Sequence, residues 1–312
     1  MSRAFVFPGQ GAQSIGMGKA FADAYPAAKA VFQEVDEALG QDLSGLIWEG
    51  EIDQLTLTEN AQPALMATSM AAMAALNAEG VKVTDASFVA GHSLGEYSAL
   101  CAAGVLSLAD TARLLKIRGK AMQEAVPVGV GAMAALLGLD FAAAQVVANE
   151  AAQGEICQAA NDNDPGQVVV SGHKAAVERA TVYAKEAGAK RAVILPVSAP
   201  FHCALMEPAA QVMAAALTEV EFKTPSVPVV VNVTAEACSD PSELRAHLVA
   251  QVTGSVRWRE SVLYMSGQGV TEIWEVGAGK ALSGMIRRID REITCVAVND
   301  PDGAKAAGDL NV

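Results

Sequence analysis

The chain has 312 residues and a formal net charge of −13, with 52% apolar and 18% charged residues. Such a composition is typical of globular proteins and excludes a disordered chain, while the negative charge disfavours nucleic acid as a partner. No apolar run approaches the roughly 20 residues of a membrane span, and the apolar run near the N-terminus is too short for a signal peptide. We therefore expect a cytoplasmic protein that does not enter a membrane.

The cysteines and histidines predict neither disulfides nor a metal site. Five cysteines without any CxxC pair, in a chain expected to stay in the cytoplasm, indicate reduced thiols. The four histidines show no ligand spacing, so zinc is not expected. The cysteines are Cys101, Cys157, Cys203, Cys238 and Cys295.

The predicted elements begin as those of an α/β protein. A strand at 4–7 ends at Pro8 and is followed by a long helical region, 14–77, in which Pro63 is expected in the first turn of a helix. A second strand at 86–90 precedes helices at 95–103 and 108–125. Alternation of apolar strands with helices predicts an α/β fold with a parallel sheet.

The middle of the chain has a different pattern. Strand, helix, strand, strand, helix and strand are predicted at 133–138, 141–152, 156–160, 167–171, 175–188 and 192–195, with a turn at 161–166. This βαββαβ order is that of a ferredoxin-like unit. We therefore expect a small domain, 129–196, inserted into a large domain formed by 1–128 and 197–312, with a frayed tail from 302 onward.

Ser93 is the candidate nucleophile. Gly91-His92-Ser93-Leu94-Gly95 fits the G-x-S-x-G elbow, in which glycines let a strand turn sharply into a helix and leave the serine hydroxyl exposed. The helix N-terminus behind it favours developing negative charge. The alternative is an ordinary strand–turn–helix in which Ser93 only caps the helix.

A serine hydroxyl needs a base, and His202 is the best candidate. It lies in a loop before a helix, where α/β enzymes present functional groups. His92 adjoins the elbow and is expected to point elsewhere, His173 resembles a turn residue, and His247 lies on a polar helix and is expected to be solvated.

Two further features admit more than one interpretation. The loop Pro8-Gly9-Gln10-Gly11 lacks the GKS/T of a phosphate loop, so it is either a plain turn or a donor of backbone N–H to an oxyanion. Arg118 lies on an otherwise apolar helix, where a buried guanidinium must be paired or must bind an anion. From its surroundings alone, a surface or salt-bridged arginine remains the simpler interpretation.

Nine ordered segments together resemble the malonyl-CoA:acyl carrier protein transacylase family, the malonyltransferases of bacterial type II fatty-acid synthesis. They span nearly the whole chain, and the resemblance implies that the large domain is α/β-hydrolase-like. The segments are FPGQGAQ at 7–13, NAQPAL at 60–65, GHSLGEYSAL at 91–100, IRGKAMQ at 117–123, NDNDPGQVVVSG at 161–172, PFHC at 200–203, NVTA at 232–235, QVTGSVRW at 251–258 and EVGAGKALSG at 275–284.

The resemblance implies a role for each matching residue. Ser93 would carry the acyl group, His202 would be its base and the main-chain carbonyl of Gln251 would orient that base. Backbone N–H groups of Gln10 and Leu94 would form the oxyanion hole, and Arg118 would bind the malonyl carboxylate. Polar positions at the substrate channel match Gln62, Asn161 and Asn163.

The acyl group and the partners also follow from the resemblance. Phe201 is the residue type that the family uses where malonyl is accepted and methylmalonyl excluded. Ala278 departs from the proline that is frequent there. The implied substrate is malonyl-CoA and the implied acceptor is the phosphopantetheine of an acidic acyl carrier protein, with no cofactor and no metal. We expect a monomer that docks the carrier on a local basic patch, with candidates Lys190, Arg191, Lys280, Arg287 and Arg288.

Two rival functions remain. A serine hydrolase of the α/β-hydrolase type predicts a triad carboxylate between Ser93 and His202 in the chain and no requirement for Arg118. A degenerate carrier-binding scaffold predicts that Ser93 is never acylated.

Overall fold

The computed structural model describes residues 2–310. Within them, ten strands form two β-sheets flanked by fourteen helices. The strands are β1 (Ser2–Phe7), β2 (Phe88–Gly91), β3 (Gly131–Leu137), β4 (Cys157–Asp164), β5 (Gln167–His173), β6 (Arg191–Ile194), β7 (Val229–Val230), β8 (Ala237–Cys238), β9 (Val270–Val276) and β10 (Thr294–Val298). The helices are α1 (Lys19–Ala24), α2 (Pro26–Leu39), α3 (Leu43–Glu49), α4 (Ile52–Thr56), α5 (Thr58–Ala78), α6 (Leu94–Ala102), α7 (Leu108–Glu124), α8 (Phe141–Ala152), α9 (Lys174–Glu186), α10 (Glu207–Thr218), α11 (Pro241–Thr253), α12 (Trp258–Gly267), α13 (Ala281–Ile289) and α14 (Pro301–Asp309).

The larger sheet has the strand order β10-β9-β1-β2-β7-β8 and is parallel except for β8. Alternate residues of β1 enter different cores: Phe5 and Phe7 pack with α5 and α7, whereas Ala4 and Val6 pack with α12 and α13. Helices therefore cover both faces, which explains why β1 reads as a continuous apolar run. The mixed α/β fold with a parallel sheet is confirmed.

The carboxyl ends of β1, β2 and β9 lie at one edge of this sheet. Strand β1 lies between β2, the next strand in the sequence, and β9, which comes from near the C-terminal end of the sequence. Crevices in open α/β sheets form where the strand order reverses in this way. The sheet therefore opens a cleft beyond Phe7 and Gly91, which are paired at the ends of β1 and β2.

The smaller sheet is antiparallel, with the order β4-β5-β3-β6. Ala134 and Leu136 of β3 face a core shared with α8 and α9, while Met133 and Ala135 face the main core. One face of this sheet is therefore closed by its own helices, and the other forms a wall of the cleft.

Strand β4 fastens the smaller sheet to the rest of the molecule. The Val256 N–H donates to Ala160 O (2.8 Å), and the Asp162 N–H donates to Val256 O (2.9 Å). The buried Asp162 carboxylate also pairs with Arg259 on α12 (2.9 Å). Because backbone and charge contacts converge on one strand, the wall that it carries is held in fixed register with the larger sheet.

Three local predictions were wrong. Pro63 lies inside α5, which begins at Thr58 and is buried on nearly every side, so tertiary packing outweighs the lost backbone hydrogen bond. The turn predicted at 161–166 is mostly strand, because β4 continues to Asp164. Within the expected frayed tail, residues up to 309 form α14, capped by Asp300 and packed through Ala304 and Ala307; residues 311–312 lie outside the described part.

No helix within residues 2–310 is both long enough and apolar enough to cross a membrane.

Candidate active site

Ser93 lies in the sharp turn between β2 and α6, with φ 54° and ψ −110°. A positive φ at a residue with a Cβ costs free energy and persists only where the surroundings enforce it. A Cβ on Gly91 would lie 2.0 Å from Gly95 O, and a Cβ on Gly95 would lie 2.2 Å from Phe7 O. Both glycines of the motif are thus required by close backbone approach.

The Ser93 hydroxyl is engaged with His202 and not with the helix. Although Ser93 is the N-cap residue of α6, its side chain makes no capping hydrogen bond. Its Oγ lies 2.7 Å from His202 Nε2, and His202 Nδ1 lies 2.9 Å from the backbone oxygen of Gln251. A carbonyl only accepts, so Nδ1 carries the proton and Nε2 is free to accept the serine proton.

The electrostatics of His202 favour the neutral ring. The histidine is buried, and burial together with the charge of Arg118 lowers its pKa to about 3. An imidazole with so low a pKa is uncharged at neutral pH. It is therefore in the form that accepts a proton.

Arg118 is the nearest cation to the nucleophile. Its guanidinium is 1% exposed, and it donates from Nη2 to Ser93 Oγ (3.1 Å) and Gln251 Oε1 (2.8 Å) and from Nη1 to Gln62 Oε1 (2.8 Å). Within residues 2–310 none of the ion pairs includes Arg118. Of the two interpretations that the sequence left open, the surface or salt-bridged arginine is excluded.

A buried polar network supports the turn from below. Asn232 Oδ1 accepts the Ser93 N–H (2.8 Å), and Asn232 Nδ2 donates to Gly91 O (2.7 Å). One oxygen of Glu96, Oε2, accepts both the Asn232 N–H (3.0 Å) and Gln251 Nε2 (2.9 Å). The same Gln251 side chain donates to Ser93 O (3.0 Å), so the network joins the strained serine to the residue that orients His202.

Glu96 was missed by the sequence reasoning, as was Asn232. Burial raises the pKa of Glu96 to about 7, more than its hydrogen bonds and the charge of Arg118 lower it. The available signal was an acidic residue on the otherwise apolar α6, and an asparagine directly after the apolar run 229–231. What these residues contact depends on the tertiary fold and is not encoded in their spacing.

Ser93, His202 and Arg118 open into one cavity of about 500 Å³. The size is typical of a small-molecule site. The remaining predicted site residues line the same cavity: Gln10, Leu94, Gln62, Asn161, Asn163 and Phe201. Asn163 Oδ1 accepts from His92 Nε2 (2.9 Å), which explains why His92 points away from Ser93.

Two histidines lie elsewhere. His173 is at the end of β5, where its Nδ1 accepts the Ile156 N–H (2.9 Å), and His247 is on α11 near Cys238 and Glu243. The cysteines named above are all free thiols.

Comparison with known proteins agrees with this geometry. Residues 4–278 match the model of the acyl transferase domain family. A malonyl CoA-acyl carrier protein transacylase of Escherichia coli (strain K12) is 48% identical over 307 residues, covering 98% of this chain and 99% of that protein. The protein of the same name from Bacillus subtilis (strain 168) is 46% identical over 305 residues, or 97% of this chain and 95% of its own length.

Solved structures are equally similar. The acyl-carrier-protein-S-malonyltransferase of Bartonella henselae has a TM-score of 0.97 and 53% identity, with 99% of each chain covered. A malonyl-transacylase solved in complex with its type II PKS acyl-carrier protein has a TM-score of 0.97 and 44% identity, with all of both chains covered. The chain belongs to the acyl transferase domain family, and within it to the malonyl CoA-acyl carrier protein transacylases, as its motifs had indicated.

Proposed function

We propose that this chain transfers malonyl from coenzyme A to the phosphopantetheine thiol of acyl carrier protein through a malonyl-Ser93 intermediate. The observation that carries the proposal is the buried guanidinium of Arg118, which donates to the nucleophile yet forms no ion pair within 4.0 Å with any carboxylate of residues 2–310. The charge of Glu96 acts on it only from a greater distance. A buried cation needs an anion. A malonyl group on Ser93 would place its free carboxylate beside the guanidinium of Arg118.

Acylation begins at Ser93. Its hydroxyl proton passes to His202 Nε2 while Oγ attacks the thioester carbon, and the C=O electrons move onto oxygen. Gln10 and Leu94 line the cavity together with Ser93. We propose that their backbone N–H groups stabilise the oxyanion, each contributing about 3–4 kcal/mol as in comparable sites. Collapse expels the coenzyme A thiolate, which takes the proton back from His202.

Deacylation repeats these steps in reverse, which makes the cycle ping-pong. The carrier thiol gives its proton to His202 and attacks the malonyl ester, so that Ser93 Oγ is the leaving group and is reprotonated. One thioester replaces another, so we propose that no metal, cofactor or nucleotide is needed. Phe201, 9% exposed on the cavity wall, would leave no room for an α-methyl branch.

The serine hydrolase is the weaker alternative. A triad needs a carboxylate at the second nitrogen of the histidine. In the structure that nitrogen contacts the Gln251 carbonyl instead, and the buried carboxylate of Glu96 bonds to Asn232 and Gln251. A carbonyl orients the ring without adding negative charge, as the family resemblance implied.

The acidic carrier would dock at the mouth of the cavity. Lys280 is exposed directly before Ala281, a cavity-lining residue, and Arg288 is exposed although it pairs with Asp164 (2.7 Å). Of the other candidates, Arg287 lies on the same helix, α13, while Lys190 and Arg191 lie at the start of β6. We propose that these cations form the basic patch despite the net charge of −13.

We also propose a classification of the two domains. The larger sheet with its β2–Ser93–α6 turn supports an α/β-hydrolase-like domain formed by 1–128 and 197–312, and the strand order β4-β5-β3-β6 supports a ferredoxin-like domain, 129–196. We further propose a cytoplasmic monomer.

Intact-mass analysis after mixing with malonyl-CoA tests the reaction. We expect one malonyl adduct on the protein, absent in Ser93→Ala, and discharge on adding the phosphopantetheine-bearing carrier. Ser107→Ala is a matched control, because Ser107 caps α7 away from the site. Failure of the unmodified protein to gain an adduct would favour the carrier-binding scaffold, and release as free malonate faster than transfer to carrier would favour the hydrolase.

A further inference from the structure

Outside the active site, the side chains of Cys238, Glu243 and His247 converge. Their ligand atoms, the thiol sulfur, a carboxylate oxygen and a ring nitrogen, all lie within 4.8 Å of one another. None of these residues belongs to the segments that carry the family resemblance, and none contributes to the catalytic cavity. Because the sulfur and the ring nitrogen come from different elements, histidine spacing in the sequence did not reveal the group.

The fold holds this group from two sides. Cys238 ends β8, the edge strand of the larger sheet, and is 8% exposed. Glu243 and His247 are four residues apart on α11, which places them on one face of the helix. Asp240 caps α11 by accepting the N–H groups of Ser242 (2.8 Å) and Glu243 (3.0 Å), so the first turn that carries Glu243 is fixed.

We propose that Cys238, Glu243 and His247 form a zinc site that joins the edge of the larger sheet to α11. Thiolate, imidazole and carboxylate are the ligand types that Zn²⁺ takes in proteins. Thiolate and carboxylate together supply two negative charges, which match those of the ion. A water molecule would complete the tetrahedron.

The distance between the sulfur and the carboxylate oxygen suits this ion. The Cys238 sulfur lies 3.6 Å from Glu243 Oε2. Bonds of about 2.3 Å to sulfur and about 2.1 Å to oxygen, at a tetrahedral angle, place the two ligand atoms about 3.6 Å apart. The sulfur and the oxygen are therefore already at coordination distance, and Zn²⁺ would take the place of the thiol proton that Cys238 donates to Glu243.

The proposed ion would act on stability and not on the chemistry. Helix α11 carries Gln251 one turn beyond His247, and Gln251 orients His202. Zinc would stiffen the support of the active site while malonyl transfer still proceeds without the metal. An ion that binds the folded chain and not the unfolded one raises the unfolding temperature.

Cobalt titration of the metal-stripped, reduced protein tests the site, because Co²⁺ bound to thiolate absorbs in the near ultraviolet. We expect one equivalent per chain to produce the thiolate absorption, and Zn²⁺ to displace the cobalt. Cys238→Ser should abolish the absorption, whereas Cys295→Ser, at a half-buried thiol of another strand, should leave it intact. Glu243 is exposed and His247 is half-buried, so replacing either should keep the fold. Glu243→Ala and His247→Ala should each weaken Co²⁺ binding at least tenfold.

Thermal unfolding gives an independent measure. Zn²⁺ should raise the midpoint of the unmodified protein and of Cys295→Ser by several degrees, and should not raise that of His247→Ala. Absence of thiolate absorption at saturating Co²⁺, or its survival in Cys238→Ser, would overturn the proposal. Either result is independent of malonyl transfer, so it leaves the proposed function untouched.

Discussion

Replacing Arg118 by alanine separates recognition of the acyl group from activation of the nucleophile. The guanidinium is buried among Gln62, Gln251 and Ser93. Its removal would leave a malonyl carboxylate without a cation to bind it. Acetyl-CoA has no such carboxylate, so it reports any effect of Arg118 on Ser93 alone.

The magnitude follows from the hydrogen bonds that are lost. Each bond between charged groups contributes about 1.5–3 kcal/mol, and leaving one member of a buried ion pair unpaired costs about 3–5 kcal/mol. Taking about 4 kcal/mol, kcat/KM for malonyl-CoA should fall by about 10³, since 1.36 kcal/mol is tenfold. Acetyl transfer loses one hydrogen bond from the guanidinium to Ser93 Oγ, worth about 1.5–3 kcal/mol, and should fall by about 10- to 100-fold.

Parallel single-turnover acylation with malonyl-CoA and acetyl-CoA measures the two losses. Arg118→Lys keeps the charge without the two-pronged donor and should lie between wild type and Arg118→Ala. Arg113→Ala is the matched control, because Arg113 lies on the same helix but is exposed and pairs with Asp110. Equal losses for both substrates would refute carboxylate binding and leave Arg118 as a group that acts on Ser93 only.

Four further results are expected. Because burial and Arg118 hold the pKa of His202 at about 3, acylation should not lose rate through this histidine between pH 8 and 5; a decline with an apparent pKa near 6.5 would contradict the buried neutral ring. Burial raises the pKa of Glu96 to about 7 in the folded protein, against 4.5 in the unfolded chain. The free-energy cost of its charged form in the fold, on the order of 3 kcal/mol, is therefore absent below pH 4.5 and complete above pH 7. The unfolding free energy of the unmodified protein should therefore fall as the pH rises from 4.5 to about 7, and Glu96→Gln should abolish this fall while retaining activity. Denaturant titration measures the unfolding free energy, and an unchanged pH dependence in the variant would contradict this. Phe201→Ala should raise methylmalonyl relative to malonyl transfer at least tenfold in competition assays, and an unchanged ratio would remove Phe201 as the selectivity residue. Lys280→Glu should raise KM for the carrier and leave malonyl loading unchanged, whereas Lys185→Glu on α9 should change neither; equal carrier kinetics in both variants would place docking elsewhere.

Local crowding made the elbow predictable from the sequence. Gly91 and Gly95 each lie two residues from Ser93. A Cβ on Gly91 would collide with the backbone of Gly95, and a Cβ on Gly95 would collide with the backbone of β1. The βαββαβ order could likewise be predicted from the sequence, because the apolar residues of each strand and helix recur with the spacing of that element. The predicted element boundaries were wrong where contacts with distant parts of the chain determine the structure. Helix α5 continues through Pro63 because it is enclosed by other helices, and β4 continues through Asn161 because Val256 pairs with that residue.

The support of the nucleophile could not be predicted, because it is assembled from distant parts of the chain. Asn232 follows β7, Glu96 lies on α6 and Gln251 lies in the last turn of α11. Only the sheet order brings β7 beside β2, and hence Asn232 beneath Ser93.

This network also explains how a strained serine is maintained. A residue with φ 54° relaxes unless its backbone groups are held, and here Asn232 accepts the Ser93 N–H while Gln251 donates to its carbonyl. Glu96 needs only its Oε2 to bind both partners, so protonating its other oxygen preserves every bond in the network. A carboxyl group with a pKa of about 7 can therefore serve this position in either form, and the geometry of Ser93 should be independent of pH even where the stability of the fold is not.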